Sequence, residues 1–127
     1  MKPIRFCCRI LVLLIFAAVG SQTLHAQDPT KVDPGHYQTV FENDSVRVLR
    51  VTYGPHEKSV MHDHPDGVVV YLTEFSGRFT FPDGTIVDRS GKTGQSRWAS
   101  GGKHLPENLS DKPYELILVE IKPQKTK

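Results

Sequence analysis

After position 8 the 127-residue sequence contains no cysteine, which excludes a disulfide framework from everything downstream. It has one long apolar run, "ILVLLIFAAVG", about half of the roughly 20 residues needed to cross a bilayer, so a stable membrane anchor is not expected. Lysines and arginines are interspersed with acids and form no basic stripe, which argues against a nucleic-acid partner. No stretch of ten residues combines helical periodicity with a convincing cap, and no internal repeat is visible. A chain with these gaps must hold itself together by packing, by metal or by association.

The apolar run sits near the start, behind "MKPIRFCCR" with its three basic residues and ahead of the small, polar "SQTLHAQD". That order reads as a secretory signal peptide over residues 1–26, with Ala26 at the cleavage position and a secreted or periplasmic destination. Both cysteines leave with it. The whole sequence carries +2, but residues 27–127 keep 13 basic against 14 acidic residues, a net of −1. About 100 residues make one domain of ordinary size. The polar "QDPTKVDPGHY" (27–37) is expected to form a flexible arm, residues 38–122 the folded body, and residues 123–127 a flexible tail.

Within that body the hydrophobic period is two. "VRVLRVTY" (46–53) places Leu49, Val51 and Tyr53 on one face, together with Arg47. "VVVYLTEF" (68–75) reads as one strand rich in β-branched and aromatic residues. In "GRFTFPDGTIVDRS", Phe79 and Phe81 alternate with polar neighbours before a "PDG" turn and a returning strand, a hairpin signature. "YELILVEIK" (114–122) sets Leu116 and Leu118 against Ile117, Val119 and Ile121 on the opposite face. Seven or eight short strands at such spacing predict an all-β sandwich, jelly roll or closed barrel; closure is attractive because it removes exposed strand edges.

The stretch "MHDHPDG" (61–67) holds two histidines one residue apart, which on a strand share a face. "GPHEKSVMHDHPDGVVVYLTEFSG" and, about 20 residues on, "GQSRWASGGKHLPEN" together resemble the two motifs of the cupin superfamily. Gly54, His62, His64 and Gly77 fall on the first motif; Gly94, Gly101, His104 and Asn108 fall on the second. The resemblance covers residues 39–122 and implies an all-β, single-domain, cupin-like jelly-roll β-barrel, with pairing into a homodimer. It also implies a divalent transition metal, Fe, Zn, Mn, Ni or Cu, on His62, His64 and His104, a donor set that suits metals of intermediate softness.

The sequence departs from the pattern where the first motif carries a glutamate: Val68 and Val69 stand there, and Ala99 replaces the proline of the second motif. Three histidines without a carboxylate leave a metal its full charge and a stronger Lewis acidity; the opposing reading is a vestigial site. The expected ligand is a small oxygen-rich organic molecule, handled by dioxygenation or by metal-assisted isomerisation or hydrolysis. The alternatives are a non-catalytic binding module and a structural barrel.

No residue stands out as a general base. Glu74 and Tyr71 are the weak catalytic candidates. His56 is a candidate peripheral ligand that reads first as a solvated loop residue. Asp63 should point away from its histidine neighbours, and Asp66 should stabilise the "HPDG" turn. Glu107 is a second inward-carboxylate candidate, Phe79 and Trp98 are pocket-wall aromatics, and Asn108 should hold the turn after His104. "NLS" at 108–110 matches a glycosylation acceptor, discounted because the leader reads as bacterial.

Overall fold

The structure, a computed structural model, describes residues 27–124. The signal segment expected over residues 1–26 and the last three residues of the expected tail lie outside the described residues.

In chain order the elements are a short helix α1 (Pro29–Val32) and nine strands. These are β1 (Tyr37–Glu42), β2 (Val46–Tyr53), β3 (His62–His64), β4 (Gly67–Tyr71), β5 (Phe75–Thr80), β6 (Ile86–Gly91), β7 (Ser96–Ala99), β8 (Gly102–Asn108) and β9 (Tyr114–Ile121). They form two antiparallel sheets, one in the order β1-β2-β9-β4-β7 and one in the order β3-β8-β5-β6. The barrel is thus two sheets rather than one closed ladder, and β1, β7, β3 and β6 are edge strands.

Alternation builds the core. On β2, Leu49, Val51 and Tyr53 are buried while Arg50 and Thr52 are exposed, as the sequence pattern requires. On β9 the buried set is Tyr114, Leu116, Leu118 and Glu120. Residues 49, 51 and 53 pair with 118, 116 and 114 across β2 and β9, so one continuous inward surface results. Aromatic rings carry it to the second sheet: Tyr53 stacks on Tyr114 at 5.0 Å, and Phe75 meets the same tyrosine edge-on at 4.8 Å. Such contacts add about 0.5–1.5 kcal/mol per pair beyond burial itself.

The FPDG hairpin forms between β5 and β6, with Phe81 N donating to Thr85 O at 2.9 Å and Gly84 at φ +85° completing the turn. The left-handed backbone there is one that glycine adopts without steric cost.

Two expectations need correction. The single strand expected over 68–75 breaks after Tyr71. The amides of Leu72 and Thr73 both donate to the Glu115 carbonyl, and Phe75 starts a strand in the other sheet. The segment 27–37, expected to be a flexible arm, packs against the body. Asp28 caps α1 by accepting from Thr30 N at 2.9 Å, Pro29 and Tyr37 are buried, and the Gln27 carbonyl accepts from Asp63 N at 3.0 Å. Local composition gave no sign of these long-range partners.

Candidate metal centre

Strands β3 and β8 are antiparallel neighbours, and their register sets His62 opposite His104. His64 lies two residues along β3 on the same face. The ring centroids stand 4.8 Å apart for His62 and His64, 5.1 Å for His62 and His104, and 5.3 Å for His64 and His104. One ring nitrogen from each lies within 4.8 Å of the other two.

Hydrogen bonds on the far nitrogens fix which atom points inward. His62 Nδ1 is 2.8 Å from the Val60 carbonyl, which can only accept, so Nδ1 carries the hydrogen and Nε2 keeps its lone pair. That Nε2 is buried and has no hydrogen-bond partner among the described residues. An orphaned buried acceptor is costly unless something fills its lone pair, and a divalent cation does so. His64 Nδ1 donates to Glu120 Oε1 at 2.6 Å, which likewise turns its Nε2 inward.

Burial first, then the neighbouring charge of His64, depresses the basicity of His62 to a pKa of about 4. Burial, then His64, His62 and Arg89, takes His104 to about 3. Both imidazoles are therefore neutral at physiological pH, the form that ligates metal. Three convergent imidazoles fit a divalent transition metal by donor chemistry, by burial and by the unsatisfied nitrogen.

Glu120 is the residue that sequence reasoning missed. It is 1% exposed, at the inward position that follows Tyr114, Leu116 and Leu118 on β9, so extending the two-residue alternation by one step would have found it. Its second oxygen accepts from Arg47 Nε at 2.6 Å, and Arg47 Nη1 reaches Asp28 Oδ2 at 2.6 Å. Burial works against the Glu120 carboxylate, but the bonds from His64 and Arg47 outweigh it and hold its pKa below the ordinary value. A carboxylate–histidine pair of this kind fixes the ring's tautomer and orientation. Val69, one of the two valines at the usual glutamate position, packs against the core and lines the adjacent cavity instead. This chain thus offers a carboxylate behind a histidine, where the family pattern has one beside it.

The other candidates distribute as follows. Tyr71 is buried and lines the cavity beside the histidines, its ring lying over Gly91. Glu74 is exposed in the turn after β4 and does not line that cavity, because the strand expected to aim it inward ends at Tyr71. His56 sits in an exposed loop and bonds Asp111 at 2.6 Å. Asp63 is half-buried outside the histidine cluster. Asp66 accepts from Gly101 N at 2.6 Å, so it ties its turn to the loop before β8 rather than closing the turn itself. Glu107 faces Lys58 at 4.0 Å. Phe79 stands 5.2 Å from the His104 ring, and Trp98 is a rim residue, 54% exposed. Asn108 does hold the turn: Nδ2 donates to the Gly54 and Lys112 carbonyls at 2.8 Å each, and Oδ1 accepts from Ser110 N at 2.9 Å. Fully buried and so engaged, it is closed to glycosylation.

A two-layer antiparallel β-fold with three histidines from adjacent strands turned into its interior defines the class. No family model matches the sequence, and no curated protein matches it. Solved structures do. A cupin domain from Bordetella pertussis Tohama I is 27% identical, with a TM-score of 0.63 over 68% of this chain and 92% of its own. An RmlC-like cupin with a double-stranded β-helix fold from Methanocaldococcus jannaschii is 14% identical, with a TM-score of 0.55 over 67% and 77%. The cupin-2 domain of an XRE family transcriptional regulator from Enterobacter cloacae is 16% identical, with a TM-score of 0.54 over 69% and 96%. The described residues form one domain with the fold of the cupin superfamily, as the motifs implied.

Proposed function

We propose that this is an exported cupin that holds one divalent transition metal on His62, His64 and His104 and acts on a small oxygen-containing molecule in the adjoining cavity. The observation that carries the reading is the His62 Nε2 lone pair, buried, unpartnered and facing two further imidazoles. When bound, the metal supplies Lewis-acid or redox activation of an oxygen held beside it. The chain's own part is positional. Val60 and Glu120 hold two rings by their Nδ1 hydrogens, and His64, His104 and Tyr71 form part of the wall of a cavity of about 270 Å³. Aromatic walls exclude water from the ligand's apolar side.

A second reading, a binding module without turnover, is favoured by one observation: no aspartate or glutamate lines the cavity. Proton transfer there would fall to histidine or tyrosine. The leader supports export, and pairing of barrels as a homodimer belongs to the same proposal.

Elemental analysis of protein purified without added metal tests the site. One equivalent of a transition metal, lost in His62→Ala and in His104→Ala, is the expected result; metal-free wild-type protein that also fails to take up zinc would overturn it. Turnover on a panel of small oxygen-rich compounds then separates enzyme from module.

A further inference from the structure

The described residues contain five arginines, and their partners divide them sharply. Arg47, Arg50 and Arg78 are each ion-paired with a carboxylate: Arg47 with Asp28 and Glu120, Arg50 with Glu115, Arg78 with Asp88. Arg89 on β6 and Arg97 on β7 form no ion pair among the described residues, and both line the cavity beside the histidines. Both are half-buried. The Arg89 guanidinium carbon lies 5.6 Å from the centre of the Phe79 ring, and that ring is 5.2 Å from His104. The cavity therefore has two unneutralised cations, no anion, and flat apolar walls that include Phe79 and Phe81. At about 270 Å³ it falls just below the roughly 300–1,000 Å³ of ordinary ligand pockets, which limits the occupant to a small molecule.

We propose that the cavity is a carboxylate site. It takes a small organic acid with a flat apolar body, its carboxylate on Arg89 and Arg97 and its body against Phe79 and Phe81. A planar guanidinium matches a carboxylate with parallel donors, and an aromatic floor beneath it keeps the fork in place. Two half-buried cations without a counter-anion are a standing electrostatic cost that such a ligand removes. The inference rests on the reading of this cavity as the ligand site beside the three histidines, but recognition of the acid runs through the arginines.

Isothermal titration calorimetry reads binding to this cavity without a reporter group. Benzoate and its uncharged analogue benzamide are titrated into the purified protein and into Arg89→Gln and Arg97→Gln. Benzoate should give a saturable change and bind at least about tenfold more tightly than benzamide, a difference of about 1.4 kcal/mol. Each glutamine variant should weaken benzoate about fivefold or more and leave benzamide unchanged. Arg89→Lys keeps the charge but loses the fork, so its benzoate affinity should fall between wild type and Arg89→Gln; it also serves if the glutamine variant fails to fold. No saturable response to benzoate, equal binding of benzamide, or glutamine variants that bind as wild type would each overturn the proposal. Zinc titration of the same samples separates the two readings. Zinc bound with benzoate ignored sinks only the carboxylate site, and benzoate bound with zinc ignored sinks only the metal.

Discussion

Replacing Glu120 by glutamine tests whether the carboxylate behind His64 controls the metal site. The substitution preserves shape in a residue that is 1% exposed, but removes the charge that two donors share, His64 Nδ1–H and Arg47 Nε–H, each at 2.6 Å. An amide offers only one acceptor oxygen, so its NH2 must face one of those donors and a charge-assisted bond is lost outright. Such a bond is worth roughly 1.5–3 kcal/mol. Arg47 retains Asp28, so the loss should stay near the lower half of that range. In metal-free protein of this size about 2 kcal/mol lowers the Tm by roughly 10 °C. Zinc affinity should fall by about 10- to 100-fold, the usual effect of removing an outer partner of a ligating histidine. Chelator competition measures the affinity and a thermal melt measures the stability. If Glu120→Gln binds zinc within twofold of wild type while His64→Ala does not bind it, the carboxylate does not act through His64 and the argument fails.

Three further outcomes follow from the same geometry. Metal-free protein should lose stability as pH falls below about 6.5. His62 and His104 take up protons more readily unfolded than folded, so each costs roughly 1.4 kcal/mol per pH unit until about pH 4 and about pH 3 respectively. Denaturant melts from pH 8 to 5 check the slope, and a flat profile would refute the burial argument. Leu49→Ala removes a side chain that is 0% exposed at the centre of the β2–β9 surface and should cost about 2–5 kcal/mol, read as a lower urea midpoint at unchanged slope. Gly67→Ala should cost at least about 2 kcal/mol, because a Cβ there collides with the Val119 carbonyl where β4 meets β9; near-wild-type stability would show that the two strands can separate freely.

The parts of the fold that local chemistry determines were legible in the sequence. Alternation in β2 and β9, the Pro-Asp-Gly hairpin and the same-face histidines all follow from a period of two and from turn residues. The convergence of His104 on the other pair was legible only through the motif resemblance, since register between distant strands leaves no local trace. The break after Tyr71 was hidden for a related reason: the run "VVVYLTEF" has high strand propensity throughout, and a carbonyl more than 40 residues away, that of Glu115, captures the amides of Leu72 and Thr73. Glu74 was misplaced by that same continuity. Glu120 was legible and overlooked, because only the apolar residues of the strand over 114–122 were assigned to its two faces. Asp28 and Asp33 were invisible as structural residues, since a polar, proline-containing segment becomes ordered only through contacts with the body.

Those two aspartates give the segment before β1 a role of its own. Asp28 grips Arg47, which holds Glu120 behind His64, while Asp33 accepts a hydrogen bond from the Ser59 hydroxyl, itself 3.3 Å from His62 Nδ1. The segment 27–36 is thereby wired to the reverse side of two imidazoles at once. Whatever seats itself on those rings is pulling, at second hand, on the strap behind them, so a protease nibbling at residues 27–36 should find its work slowed when zinc is present.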